Sequence, residues 1–151
     1  MFEQELDPSI VSPDLCVANN FRKISRTLVQ AYEEALKPSG ITIAQFSTLG
    51  TLNGGGPLSI QQLAEAMEID RTTLARNLKP LTRSGLVEVR PNPQDRRGKI
   101  VQISQAGLLK LQEAAPLWLS AQTHFVQGLG TSELDHLMKT FAHIRKLADS
   151  Q

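Results

Sequence analysis

The chain has 151 residues, of which 40% are hydrophobic and 21% charged, and its formal net charge is +1. That length suits one domain, and the apolar fraction excludes a wholly disordered chain. A lone cysteine excludes an internal disulfide and a multi-cysteine zinc site.

No stretch approaches the roughly 18 uninterrupted apolar residues that would span a bilayer, so no membrane partner is expected. The acidic start Met1–Phe2–Glu3–Gln4–Glu5 lacks the cationic region and apolar run of a secretory signal. A cytoplasmic protein is expected.

Residues 1–13 carry Pro8 and Pro13 without periodicity and read as an N-terminal arm. From about Asp14 an apolar stripe at helical spacing runs Val17, Phe21, Ile24, Leu28, Ala31, Ala35. Lys37–Pro38–Ser39–Gly40 stops it. Thr42 and Gln45 form a capping box that opens a second helix through Phe46, Leu49 and Leu52. Asn53–Gly54–Gly55–Gly56–Pro57 ends that helix. The glycine run is an interhelical turn, since it lacks the lysine and hydroxyl residue of a phosphate loop.

Ser59 and Gln62 make another capping box, for a short helix with Ile60, Leu63, Ala64 and Met67 on one side. Asp70 is an N-cap for a further helix with Leu74, Leu78 and Leu81 facing inward, and Gly85 suits its left-handed exit. Pro80 inside it predicts a bend or an irregular last turn. Leu86–Val89 and Ile100–Ile103 then read as short strands around a turn-rich loop, Pro91 to Gly98. Ser104 caps a helix from about Gln105 to Gln127. Gly128 and Gly130 are expected to break it, and Ser132 to cap a last, separate helix through Leu134, Leu137, Phe141 and Ile144.

The charge is unevenly placed. Between Asp70 and Lys99 stand eight basic and three acidic residues, a surplus of five, while the rest of the chain is net acidic by four. A basic segment inside a neutral chain is the footprint expected for a polyanion partner. Short helix, tight turn, basic helix and hairpin is the order of a winged helix-turn-helix, whose second helix enters the major groove. Arg71, Thr72, Thr73, Arg76, Asn77 and Lys79 lie off the leucine stripe and are the candidate DNA contacts. Arginine reads guanine and asparagine reads adenine through two bonds each. Lys79 and Arg83 suit phosphates. Arg96 and Arg97 at the hairpin tip suit a neighbouring minor groove, and Asp95 beside them is expected to orient a guanidinium rather than touch DNA.

These residues resemble the MarR family of bacterial transcription regulators. Asp95-Arg96-Arg97, five residues, Ile103-Ser104 and then Ala106-Gly107 follow the family's wing pattern D-x-R-x-x-x-x-x-[LI]-[TS]-x-x-G. Arg71–Gly85 followed by Leu86-Val87 looks like its recognition helix and exit. The resemblance implies a mainly α fold with a small β-hairpin wing, six helices and three short strands. It implies a winged helix-turn-helix lobe at 37–104 and a helical dimerisation region at 14–36 and 105–151. It also implies a homodimer on a pseudo-palindromic double-stranded operator, acting as a repressor relieved by a small-molecule effector. By that analogy Phe21, Ile24, Phe46, Leu49 and Trp118 are candidate effector-pocket residues, and the same residues also suit a core.

The apolar faces of the first and last helices independently favour dimerisation, since an unpaired half would expose them. Two readings of Cys16 stay open. Leu15-Cys16 resembles the reactive site of the family's hydroperoxide sensors, with Asn20 one turn on and Tyr32 as the lone tyrosine, and a buried cysteine is also an ordinary small hydrophobe. His136 and His143 stand seven apart, about 10 Å along a helix, too far to share one ion. No metal, no cofactor and no enzymatic activity are expected. The rival reading is a winged-helix module that binds protein and never DNA.

Overall fold

The computed structural model describes residues 12–150, so the expected arm 1–13 lies outside it apart from Ser12 and Pro13. A 3-10 turn, Pro13–Leu15, leads into helix α1, Val17–Leu36, and a second 3-10 turn, Lys37–Ser39, closes it. Helix α2, Ile43–Gly55, follows, then strand β1, Leu58–Ser59, and helices α3, Ile60–Ala66, and α4, Arg71–Arg83. Strands β2, Val87–Asn92, and β3, Asp95–Ile103, form the hairpin, and α5 occupies Gln105–Asp149. The three strands make one antiparallel sheet in the order β1-β3-β2. No helix among the described residues is long and apolar enough to cross a membrane.

The local signals act where the sequence places them. Thr42 accepts the Gln45 amide while the Gln45 side chain accepts the Thr42 amide, and Ser59 and Gln62 repeat the arrangement. Each box satisfies two amides that a helix start leaves free. Asp70 caps α4 through the Thr73 amide at 2.8 Å. Gly85 exits α4 at φ +70°, and the Leu86 amide returns to the Leu81 carbonyl at 2.9 Å. The turn between α3 and α4 closes in the same way on a residue other than glycine, Glu68 at φ 53°. α4 stays helical across Pro80 to Arg83.

The last helix differs from expectation. Among the described residues five helical stretches stand where six are expected, because the last two meet directly at Gly130 (φ 78°, ψ 162°) after the chain runs on helically through Gly128. A side chain would be strained in that left-handed conformation, and glycine adopts it freely. One residue thus divides α5 into two helical arms without a loop between them.

The hairpin also reaches further than expected. Its strands take in Pro91, Asn92 and Asp95 to Gly98, leaving Pro93–Gln94 as the connection, with an irregularity between Pro91 and Asn92. Proline is tolerated at such an edge because its missing amide removes no inner ladder bond.

The core is Leu36, Ile41, Leu49, Leu52, Leu63, Ala64, Leu74, Leu78, Leu81, Val87, Val101, Leu111 and Ala114. Nearly all of it lies between Ile41 and Val101. In α1 only Leu36 is buried, and in α5 nothing is buried beyond Ala114. Every residue from Asn20 to Ala31 is exposed. α5 packs along α1 and against α2. Phe21 meets Phe141 edge to face at 5.8 Å, Tyr32 stacks on Phe125 and donates to Gln122, and Arg145 pairs with Glu68 at 2.7 Å.

Candidate nucleic-acid interface

α4 repeats Leu74, Leu78 and Leu81 inward, and all three are buried. A helix turns about 100° per residue. Thr72, Arg76, Lys79 and Arg83 therefore share the opposite stripe, and all four are exposed. Thr73 and Asn77 flank it and are half-buried. The Thr73 hydroxyl donates to Asp70 Oδ2 at 2.6 Å, so its proton belongs to the cap. That bond and the Thr73 amide hold the Asp70 carboxyl below its ordinary value.

Arg71 occupies a different face. It precedes Leu78 by seven residues, two turns, so it projects on the buried side but beyond the end of the core. There its Nη2 donates to Gln61 Oε1 at 2.9 Å. Gln61 Nε2 in turn donates to Glu65 Oε1 at 2.8 Å. Gln61 and Glu65 stand four apart on α3, a spacing at which helical side chains meet, but the Gln61–Arg71 contact depends on how α3 crosses α4.

The wing brings its cations beside the same end of α4. Arg71 and Gln61 from the helices and Asp95, Arg97 and Lys99 from the hairpin line one open cleft of about 520 Å³. Arg90, Arg96, Arg97 and Lys99 line a second cleft along the hairpin, about 310 Å³. Asp95 turns the wing through the backbone: its Oδ1 accepts the Arg97 amide at 3.0 Å. Among the described residues no ion pair joins it to a guanidinium. Its other oxygen lies 3.0 Å from where a Cβ on Gly98 would stand, which makes glycine fitting there. Lower on the hairpin Glu88 accepts from both Gln102 and Arg90, and these bonds hold its carboxyl below the ordinary value.

The other expected residues are dispersed. Leu49 is in the core, and Phe46 and Trp118 stack at 5.6 Å between α2 and α5. Phe21 and Ile24 lie on the exposed face of α1. Cys16 is half-buried at the start of α1, and its carbonyl accepts from Asn20 Nδ2 at 3.0 Å. Tyr32 is about 24 Å further along that helix, its phenol pushed up by burial.

Gly107 locks the wing to α5. A Cβ there would stand 2.0 Å from the Leu86 carbonyl oxygen and 2.8 Å from Ile103 Cγ1. The wing pattern's final glycine is therefore a steric requirement.

A family model described as MarR family matches residues 39–98. The chain is 25% identical over 128 residues to the HTH-type transcriptional regulator YhbI of Bacillus subtilis, covering 85% of this chain and 83% of YhbI. To the multiple antibiotic resistance protein MarR of Escherichia coli it is 35% identical over 74 residues, 49% of this chain and 51% of that protein. A crystal structure of the Mycobacterium tuberculosis transcriptional regulator MosR in complex with DNA superposes with a TM-score of 0.80 at 34% identity. That match covers 89% of this chain and 97% of MosR.

Proposed function

We propose, since this chain belongs to the MarR family of transcription regulators, that it is a homodimer that binds a pseudo-palindromic operator and represses transcription until a signal releases it. The observation that carries this is the exposed stripe Thr72, Arg76, Lys79, Arg83 on a helix whose far side is anchored by three buried leucines. A rigid helix with one cationic face fits the major groove. Arg76 and Asn77 are the base readers in this account, Lys79 and Arg83 position the helix on phosphates, and Arg96 and Arg97 of the wing reach the neighbouring groove.

The dimer half of the reading rests on α1. Val17, Phe21, Ile24 and Leu28 are spaced 4, 3 and 4 apart on one face, and all four are exposed in the single chain. In this division residues 14–36 and 105–151 pair the copies, and 37–104 is the DNA-binding lobe. A second copy covering that face would place two recognition helices on successive major grooves, about 34 Å apart. By the family analogy the effector seat is placed at the stacked Phe46 and Trp118 between α2 and α5, with Leu49, Phe21 and Ile24 as the further candidates. A ligand there acts only by favouring one lobe spacing over another. An oxidant acting on Cys16 is the other signal in this account.

A mobility-shift series with the promoter duplex adjoining its own coding region tests the reading. Affinity should fall steeply with salt, and Arg76→Ala with Arg97→Ala should weaken it further. Salt-independent or absent binding would instead favour a protein-interaction module.

A further inference from the structure

We propose that Arg71 is a phosphate clamp rather than a base reader, and that Gln61 and Glu65 are positioning residues that hold it for that task. This rests on the DNA-binding reading above and assigns one subsite within it.

The rotation of Arg71 around α4 separates it from the outward stripe. Thr72, Arg76, Lys79 and Arg83 face away from the core, whereas Arg71 is within about 20° of Leu78 in angular position. It therefore points along the lobe toward the wing. The cleft it lines is also lined by Arg97 and Lys99 from β3. One carboxylate, Asp95, lines the cleft as well, and its Oδ1 is engaged by the Arg97 amide. Three cations against one carboxylate leave the space net positive and open to solvent. A phosphodiester is the part of a duplex that suits such a space, since it offers charge and oxygen acceptors without base edges.

The approach of Arg71 is fixed by a relay. Glu65 Oε1 accepts from Gln61 Nε2 at 2.8 Å, and this turns the amide so that Gln61 Oε1 accepts from Arg71 Nη2 at 2.9 Å. Among the described residues one of its five guanidinium donors is engaged, and the others remain for a ligand. Glu65 is in α3 and Arg71 in α4, so the relay spans both helices of the helix-turn-helix. A bond from one helix to the next sets where a flexible cation stands before the duplex arrives. Pre-setting a side chain in its bound position lowers the ordering cost of binding.

The test compares two duplexes of equal length, the promoter duplex adjoining the gene and an unrelated sequence, over a salt series. Arg71→Gln should weaken both by the same factor, on the order of three- to tenfold, and lower the slope of log affinity against log salt by about 0.9, the value of one phosphate contact. Arg76→Gln should instead reduce the preference between the duplexes. Gln61→Ala should weaken both duplexes less than Arg71→Gln, and should add nothing in the Arg71→Gln background. All these side chains are exposed, so thermal midpoints should stay with the wild type. If Arg71→Gln removes the preference for the promoter duplex and spares the unrelated one, Arg71 reads bases and the clamp is wrong. If the Gln61 and Arg71 effects multiply independently, the positioning role is wrong. A wild-type chain that binds neither duplex would overturn the DNA-binding reading, and the clamp with it.

Discussion

The winged lobe and the terminal helices are built to different standards of completeness. Within the lobe, α2, α3, α4 and the sheet enclose one another. Leu49, Leu63, Leu74 and Val101 are fully buried, and both helix starts that need a box have one. In α1 and the outer arm of α5 the same kind of apolar periodicity is left facing solvent, with Ile24 and Met138 each 52% exposed. A lobe that buries its own stripes holds most of the core. Helices that present a stripe to water behave as half of an interface, since exposed apolar patches of this kind mark association sites. On the proposed reading, recognition belongs to the first region and pairing to the second.

The comparison breaks most readily in the lobe. Leu74→Ala leaves a void beneath the recognition helix and should cost about 2–5 kcal/mol in thermal or urea unfolding, whatever the protein concentration. Gly107→Ala should come next. Its Cβ meets the Leu86 carbonyl oxygen, so the junction of wing and α5 must part, at or above the about 1–3 kcal/mol typical of overpacking. Both losses belong to the folded single chain.

Ile24→Asp sharpens the other side. The side chain is 52% exposed in one chain and lies outside the buried core, so the lobe should keep its fold by circular dichroism. The wild type's thermal midpoint should rise with protein concentration, as linkage requires of a dimer, and that dependence should vanish in the variant.

Asp70 gives the smallest effect. Its carboxyl is held below the ordinary value of 3.8, first by the Thr73 hydroxyl and then by the Thr73 amide. A depressed acid stabilises the fold above its unfolded value and loses that contribution as pH falls through the lower, folded one. Asp70→Asn keeps a cap but removes the titration. Melts between about pH 5 and pH 2 should therefore fall less steeply for Asp70→Asn than for the wild type.

What the sequence makes legible is set by range. Capping boxes at Thr42 and Ser59, the cap at Asp70 and the left-handed exit at Gly85 are decided within a few residues, and each appears where its spacing puts it. The basic hairpin is visible as composition. The junction at Gly130 is less so, since Gly128 and Gly130 read alike and only one leaves the helical region. The Gln61–Arg71 contact and the turn-holding role of Asp95 need the relative placement of segments ten residues apart, or the local path of the wing, and no periodicity encodes either. The exposed face of α1 is legible as a stripe, but how little of it α5 covers is known only once the other elements are placed.

Sedimentation equilibrium of the wild-type chain at low micromolar concentration tests the pairing of lobes most directly. The expected result is a species of twice the 16.6 kDa chain mass, reduced to the single chain by Ile24→Asp. A wild type that sediments at 16.6 kDa throughout the range would contradict it.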